Sequence, residues 1–462
     1  MKTKSLLFFF LVSFQSFFAQ EIQGSWEGNL AIQGTKLPLI FNIQKNGELY
    51  LSTLDSPMQG AKGIPIKETI YVNNELKINA PNLNLKFNGV FKEDTIEGNF
   101  IQNGASFPLV LTRKKGDSSI LNRPQEPKPP FDYPIEEVVF VNSKDKNTLA
   151  GTLTLPKNKK DFPVVILITG SGAQNRDSEL FGHKPFAVIA NDFAQKGIGV
   201  LRLDDRGIGG SSKGTKADTS ANFATDISAA VDFLSARGFG KIGLIGHSEG
   251  GMIAPIVAVQ NKKVQFVISL AGPGIPIDQM MILQSQSVAK SEGATAIQIE
   301  STTEFNKKVY AYIVNYKGTN LQADFQAFIK EEFKKLTQNQ GLTDSQIDDF
   351  VAQQTQSITS PWYVYFIKFN PDLYWSKLKI PVLGLNGSLD VQVKATENLA
   401  GIQSSLSKAG NKKGSIKELS GLNHLFQEAK TGSTSEYVTI EQTFAPTALN
   451  IMSDWILGLN NL

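Results

Sequence analysis

The segment Gly246-His247-Ser248-Glu249-Gly250 constrains the fold of this chain more than any other short stretch. An apolar run, 242–245, precedes it, and a helix-like run, 251–259, follows it. Glycines at both ends allow a very tight turn between strand and helix. A serine at the apex of such a turn is lifted clear of the sheet, with its hydroxyl exposed and its backbone strained. The segment therefore predicts a buried strand, a strained turn and a helix in direct succession.

From about residue 134 onward, strand-like and helix-like segments alternate. The strand candidates are 137–141, 149–155, 163–168, 199–203, 242–245, 266–270, 381–385 and 416–419. Helical stretches separate most of them, at 184–196, 222–237, 251–259 and 439–457. Alternation of this kind builds a mainly parallel, doubly wound sheet. The predicted fold class of residues 134–462 is therefore α/β.

One connection is too long for this alternation. About a hundred residues separate Ala271 from Lys379, and a structureless loop of that length is rare in a compact domain. Helix-like segments occur within it at 278–291, 298–316, 321–337 and 343–357. We therefore expect a helical cap insertion, at about 275–378, over the mouth of the site.

Residues 21–113 have a different pattern. Short alternating runs such as 37–43, 48–52 and 107–112 are separated by turns rich in Gly, Asn and Asp. We expect a small all-β domain, either a barrel or a sandwich, whose opening and closing strands pair.

Residues 114–133 then contain Pro124, Pro127, Pro129 and Pro130. Because proline excludes a helix or a central strand there, this segment is predicted to be a semi-rigid linker.

The first twenty residues have the pattern of a secretory signal peptide. Lys2 and Lys4 precede an apolar run from Leu6 to Phe18 that ends at Ala19-Gln20. The alternative is a short membrane anchor, but the run is shorter than the ~20 residues that span a bilayer. The absence of cysteine rules out lipoprotein acylation and disulfides. We expect export to the periplasm or the extracellular space.

A reactive serine needs a base within hydrogen-bond reach, and the base needs an acid that holds its tautomer. The chain has only three histidines. His247 adjoins Ser248 and cannot fold back onto it, whereas His424 follows the last strand candidate. Asp390 ends the turn after strand 381–385 and is the candidate acid. The predicted triad is Ser248, His424 and Asp390.

An oxyanion intermediate requires two preorganised backbone N–H groups. One should belong to Glu249, directly after the serine. The second should come from the glycine-rich loop 169–174, which follows the third strand; the candidates are Ser171, Gly172 and Ala173. The alternative for this loop is a plain glycine-rich turn.

Two further groups lie beside the predicted site. Asp204-Asp205-Arg206-Gly207 follows the fourth strand, and its carboxylate–guanidinium pairs are expected to brace the adjacent loop. Four aromatic residues of the insertion are candidates to line an acyl pocket: Trp362, Tyr363, Tyr365 and Phe366. Because their spacing is nearly helical, packing inside the cap is an equally good interpretation.

Several of these motifs together resemble the α/β-hydrolase superfamily over 134–462. More narrowly, they resemble bacterial serine carboxylesterases with an N-terminal β domain and a helical cap; the motifs are 170–177, 182–186, 204–207, 246–250 and 422–426. In this fold the triad follows the chain order Ser, Asp, His, which fits the proposed triad and leaves His183 on the wrong side of the serine. The resemblance implies hydrolysis of short acyl esters, with no metal and no cofactor.

The leading hypothesis is a secreted serine carboxylesterase that acts on small-molecule acyl esters. A serine peptidase or an acyltransferase with the same triad is the alternative enzyme, because the motifs do not separate these activities. The non-enzyme alternative is a binding protein whose β domain contacts a glycan or the cell envelope. The net charge of +3, to which Lys2 and Lys4 contribute two charges, gives no indication of nucleic-acid binding. The oligomeric state stays open.

Overall fold

The protein is described from a computed structural model. The structure describes residues 22–32, 35–46, 49–57, 61–102, 105–114, 123–157, 160–215, 217–337 and 344–459, and the predicted signal peptide lies outside them. The chain divides into two compact units, Met1–Ser118 and Ser119–Leu462. Within the described residues, no helix is long and apolar enough to cross a membrane.

The first unit is a closed antiparallel barrel. Its described strands are β1 (Gly24–Ile32), β2 (Thr35–Asn46), β3 (Leu49–Ser56), β4 (Ala61–Pro65), β5 (Glu68–Val72), β6 (Glu75–Ala80), β7 (Leu85–Lys92), β8 (Thr95–Gln102) and β9 (Ala105–Arg113). Pairing of β2 with both β1 and β3 closes the sheet. As expected, the opening and closing strands pair, with Trp26 opposite Arg113. The sequence left a barrel or a sandwich open, and the structure is a barrel.

The barrel closes around an apolar interior. Alternate residues of its strands point inward, as on β7, where Leu85, Phe87 and Phe91 are buried. Trp26 is fully buried, and its indole N–H donates to the carbonyl of Ile22 at 2.7 Å. The period-two pattern that predicted strands in this region therefore also defines the core.

The second unit contains a sheet in the order β10-β11-β13-β12-β14-β15-β16-β17. Its described strands are β10 (Ile135–Val141), β11 (Thr148–Thr154), β12 (Val164–Ile168), β13 (Gly199–Leu203), β14 (Ile242–His247), β15 (Val264–Leu270), β16 (Val382–Gly387) and β17 (Gly414–Leu419). Strand β11 pairs antiparallel with β10 and with β13. The remaining neighbours in this order, from β13 through β12 to β17, pair parallel. The predicted mainly parallel α/β sheet is confirmed.

Helices pack on both faces of this sheet. The described helices outside the insertion are α1 (Pro185–Lys196), α2 (Ser220–Ala236), α3 (Glu249–Gln260), α10 (Ala395–Lys408) and α11 (Pro446–Gly458). One apolar core contains residues of α2, α3 and α10, and a second contains residues of α1 and α11. Two cores on opposite faces are the arrangement expected for a doubly wound sheet.

Helices fill the long connection after β15. They are α4 (Ile277–Ser291), α5 (Ala296–Asn315), α6 (Leu321–Thr337), α7 (Asp344–Ile358), α8 (Pro361–Ile367) and α9 (Asp372–Trp375). The first four lie where the sequence predicted helices, whereas α8 and α9 were not predicted as helices. Buried residues of this insertion, including Phe325 and Trp375, join the core on the α2 and α3 side.

Within the segment 114–133, predicted to be a linker, the described residues from 123 onward belong to the second unit. The buried guanidinium of Arg123 donates to the carbonyls of Phe181, Val438 and Ile440 at 2.5–3.0 Å. The side chain of Gln125 accepts the N–H groups of Thr443 and Phe444 at 2.7 and 3.0 Å. Arg123 and Gln125 are therefore fastened to the second unit by hydrogen bonds that composition does not reveal. Residues 115–122 lie outside the described part.

The same contacts explain an error at the last helix. The sequence predicted a helix over 439–457, but α11 begins at Pro446. Gln125 binds the N–H groups just before this start, which would otherwise belong to a longer helix. Pro446 is well suited to the first helical position, because the backbone N–H that proline lacks would have no partner within the helix there.

Candidate active site

The backbone at Ser248 is held in a strained turn. Ser248 has φ 55° and ψ −119°, a conformation that non-glycine residues rarely adopt. A Cβ at position 246 would lie 2.0 Å from the carbonyl oxygen of Gly250, and one at 250 would lie 2.3 Å from that of Ile168. Only glycine fits at either position. The predicted succession of strand, turn and helix is therefore present, with Ser248 between β14 and α3.

Asp390 and His424 lie just beyond neighbouring parallel strands, β16 and β17. The His424 Nδ1 is 2.8 Å from the Asp390 Oδ2, and both residues are buried. The other Asp390 oxygen accepts the N–H groups of Gln392 and Val393, both at 2.8 Å. A neutral imidazole that donates from Nδ1 presents Nε2 as an acceptor. This pair can therefore take a proton from a hydroxyl group.

His247 links the serine turn to the loop that carries His424. Its Nε2 donates to the backbone carbonyl of His424 at 2.9 Å. The centroids of the His247 and His424 rings are 4.8 Å apart. Desolvation by the surrounding protein, together with repulsion from His424, lowers the pKa of His247 to about 3. The His247 ring is therefore neutral, and it holds the backbone of the second histidine close to Ser248.

Both predicted sources of oxyanion donors lie at the serine turn. Glu249 is the first residue of α3, where backbone N–H groups have no partner within the helix. On the other side, a Cβ built on Gly170 would lie 3.2 Å from the Cβ of Ser248. Ser171, Gly172 and Ala173 follow in an exposed loop. Gly172 has φ +92°, which favours glycine.

A cavity of about 210 Å³ opens beside this loop. Its walls are mainly apolar, and Gly170, Gly172 and Ala173 form part of one side. Trp362, on α8 of the insertion, lines it too, and its indole N–H donates to the Glu249 Oε1 at 2.9 Å. The insertion is therefore bound directly to the residue that follows Ser248.

The other three aromatic candidates are turned away from this cavity. Phe366 is buried and stacks on Trp362 at 5.4 Å between ring centroids. The phenol groups of Tyr363 and Tyr365 interact with those of Tyr310 and Tyr374, and neither ring is part of the cavity wall. Because α8 has only seven residues and one side toward the cavity, a single ring reaches it. The pocket prediction is therefore revised to Trp362 alone.

The acidic and basic side chains near the cavity are paired differently from the expectation. Arg206 binds Asp145, Asp218 and Asp226, at 2.8–3.0 Å. Asp204 binds Arg176 at 2.7 Å instead. The bracing expected after the fourth strand is present, but the partners come from other segments. Sequence proximity did not reveal them.

Asp205 has no place in these ion pairs. Desolvation raises its pKa to about 7, and repulsion by Glu249 and Asp226 adds to the rise. Its hydrogen bonds are to Thr169 and to the backbone of Gln174.

Sequence reasoning missed a buried network behind His424. Asn423 accepts the N–H groups of Leu425 and Gln427, and its own amide donates to the Gln427 side chain at 2.9 Å. Gln427 in turn lies 2.9 Å from the Nε2 of His183. The sequence shows only that two amide residues, Asn423 and Gln427, stand on either side of the candidate histidine. The network ties the His424 loop to the segment before α1.

The fold and the site geometry together define an α/β-hydrolase of the serine hydrolase class. The family model described as serine aminopeptidase, S33 (Hydrolase_4) matches residues 184–428, more than half of the chain. The chain belongs to this family.

The individual proteins that resemble this chain do so at low identity or over part of its length. Esterase EstD of Thermotoga maritima is 32% identical over 151 residues, which cover 31% of this chain and 36% of EstD. The match thus spans about a third of that relative. Among solved structures, an esterase of Pyrococcus furiosus covers 71% of this chain and 91% of its own, at 15% identity and a TM-score of 0.42. The Butyrivibrio proteoclasticus enzyme Est1E, solved with ferulic acid, covers 70% and 97%, at 15% identity and a TM-score of 0.39.

The buried His183 generates a prediction about acid stability. Burial, followed by the charge of Arg123, lowers its pKa from 6.5 to about 4. Below pH 6.5 the unfolded chain therefore binds a proton that the folded chain does not. The free energy of unfolding should fall as the pH drops from 6.5 to 4, by on the order of 3 kcal/mol from this group, and level off below.

Urea unfolding at pH 7 and pH 4.5 measures this contribution as a difference between variants. His183→Asn should be less stable than the wild type at pH 7, because bonds to Thr443 and Tyr437 are lost or weakened. Its further loss at pH 4.5 should nevertheless be smaller. Equal losses in the two proteins would contradict the assigned pKa.

Proposed function

We propose that this protein is a secreted serine carboxylesterase that hydrolyses short-chain acyl esters. One observation carries the proposal: a buried histidine held by a buried carboxylate, at 2.8 Å, beside a serine in a strained turn. Such strain persists only where the surrounding structure enforces it, and it concentrates at functional sites. The serine is Ser248, the base His424 and the acid Asp390.

The proposed reaction has two halves. The Ser248 Oγ attacks the ester carbonyl carbon while His424 takes the hydroxyl proton on Nε2. Collapse of the tetrahedral intermediate breaks the bond to the alcohol oxygen, which receives that proton and leaves. Water then attacks the acyl-enzyme while His424 takes one of its protons. The second tetrahedral intermediate collapses by breaking the bond to the Ser248 Oγ, which receives that proton as the acid product leaves. Asp390 keeps the proton on Nδ1 and stabilises the imidazolium that forms in each half.

The negative oxygen of each tetrahedral intermediate needs donors that are already oriented. The backbone N–H of Glu249 is favoured by its position at the start of α3, where the helix dipole is positive. The second donor is assigned to Gly172 or Ala173, since both border the cavity beside the serine turn. Ser171 remains a candidate from the sequence.

Substitution of the three triad residues tests the mechanism. Ser248→Ala should abolish covalent labelling by a fluorophosphonate and nearly all hydrolysis of p-nitrophenyl butyrate. His424→Ala should lower kcat by on the order of 10⁴-fold, and Asp390→Asn should also be severe because the imidazole tautomer is no longer held. Labelling is measured by mass spectrometry and hydrolysis by absorbance.

His247→Ala is the comparison variant, because it removes a neighbouring ring and its hydrogen bond to the His424 carbonyl but no triad member. It should be much milder than His424→Ala. An essential His247 with a dispensable His424 would contradict the assignment, as would undiminished labelling of Ser248→Ala. Amino-acid p-nitroanilides and an added alcohol acceptor separate the peptidase and acyltransferase alternatives: faster amide cleavage or acyl transfer would replace the esterase proposal.

The size of the acyl group is proposed from the cavity. A volume of about 210 Å³ beside the loop at Gly170 accommodates a short chain, and Trp362 closes one side. Each buried CH₂ contributes ~0.8 kcal/mol, about fourfold in kcat/KM, until the pocket ends. We therefore expect a preference for acyl groups of roughly two to eight carbons.

A series of p-nitrophenyl esters from acetyl to palmitoyl measures this preference. Trp362→Ala should move the optimum to longer chains, because the indole no longer fills the wall. Tyr365→Phe is the control on the same helix: it removes a hydroxyl group that binds Tyr374, away from the cavity. Similar kcat/KM for acetyl and palmitoyl esters would contradict a restricted pocket.

Export is proposed from the N-terminal pattern of Lys2, Lys4 and the apolar run 6–18. A bacterial host that expresses the full chain should release a mature protein shortened near Ala19 into the periplasm or the medium. N-terminal sequencing of that fraction identifies the cut. An uncleaved chain found only in the membrane fraction would favour the short anchor instead.

A further inference from the structure

One carboxylate fastens both ends of the glycine-rich loop beside Ser248. Asp205 follows β13, and its Oδ1 accepts the hydroxyl of Thr169 at 2.8 Å. Its Oδ2 accepts the backbone N–H of Gln174, also at 2.8 Å, and its own N–H donates to the Gln174 carbonyl at 3.1 Å. Thr169 begins the loop and Gln174 ends it. The two ends are therefore held by a single side chain.

Most of the loop between these two ends is exposed. Ser171, Gly172 and Ala173 are exposed, and the Gly172 φ of +92° is open to few other residues. Within the loop, the Gln174 side chain donates to the Ser171 carbonyl at 3.2 Å. Exposed backbone with two glycines loses much conformational freedom when it is ordered. The hydrogen bonds of Asp205 offset that cost at the loop ends.

Asp205 forms these bonds in place of an ion pair. Its neighbour Asp204 takes the guanidinium of Arg176, and Arg206 takes three other carboxylates. Among the described ion pairs of this region, Asp205 has no cation, although it is largely desolvated in the cavity wall. Burying the Asp205 carboxylate in the cavity wall without a cation costs free energy. A role in loop geometry accounts for its presence.

We propose that Asp205 is a positioning residue that sets the oxyanion donors of the loop 170–173. The inference rests on the proposed function, since it presumes that Gly172 or Ala173 donates to the substrate oxygen. Such donors act only when they are already oriented, and loss of one typically costs 10²–10³-fold in kcat. Displacing the loop without deleting a donor should cost less, about 10- to 100-fold.

The experiment compares kcat and KM for p-nitrophenyl butyrate in three variants. Asp205→Ala removes both acceptor oxygens, whereas an Asn side chain could still bind both partners because the Thr169 hydroxyl can turn to accept from its amide. Thr169→Val removes one donor at nearly constant shape. Asp218→Ala is the matched control, because Asp218 pairs with Arg206 at 3.0 Å and its described hydrogen bonds are to Thr215 rather than to the loop. Thermal unfolding and circular dichroism verify that each variant is folded.

In Asp205→Ala, kcat should fall about 10- to 100-fold while KM stays within about threefold, because the loss is confined to the transition state. Thr169→Val should give a smaller fall of the same kind, and Asp218→Ala should leave kcat within about twofold. The rate of fluorophosphonate labelling should fall in parallel, since the phosphonyl oxygen uses the same donors.

Unchanged kcat in folded Asp205→Ala, or a loss that appears in KM alone, would overturn the proposal. If Asp205→Ala does not fold, Thr169→Val decides: a kcat loss supports the proposal, and an unchanged kcat overturns it. Failure of the proposed function has a different signature, because the wild type would then hydrolyse no ester or Ser248→Ala would still be labelled.

Discussion

The geometry of the site depends on the close approach of backbone segments around Ser248. The carbonyl of Gly250 lies where a side chain at 246 would be, and the carbonyl of Ile168 lies where one at 250 would be. Strand β14, helix α3 and the end of β12 can therefore meet only through glycines. Their contact enforces the strained backbone of Ser248, which an isolated turn would relax. A larger residue at either position would separate the helix from the sheet and displace the serine.

The parallel sheet brings the other parts of the site to the same edge. The loop with Gly170 follows β12, Ser248 follows β14, and Asp390 and His424 follow β16 and β17. Since the carboxyl ends of parallel strands meet at one edge of the sheet, residues far apart in sequence converge there. The crossover connections, which make these strands parallel, are therefore as necessary for the site as the side chains themselves. The insertion also contacts this edge, where the indole of Trp362 donates to Glu249.

Buried polar side chains then hold each loop of the site in position. Asp205 fastens the loop after β12, and Asn423 with Gln427 fastens the loop that carries His424. Arg123 does the same for the segment 123–133, by binding three carbonyls. Burying such groups is favourable only when they are hydrogen-bonded. These loops have a defined geometry because the buried side chains that hold them have hydrogen-bond partners.

The sequence by itself determined what depends on neighbours in the chain. The tight turn at Ser248 and the strands and helices beside it follow from residue spacing and from glycine, and Asp390 and His424 were chosen by their positions after strands. The tertiary structure alone decided which distant groups meet. It binds the predicted linker through Arg123, leaves Trp362 as the one aromatic candidate at the cavity, and joins Asp205 to Thr169 and Gln174. It also forms α10, which the sequence reading missed, because burial of its apolar face against the sheet stabilises that helix. Such contacts join residues that are far apart in the chain, and periodicity and local propensity carry no information about them.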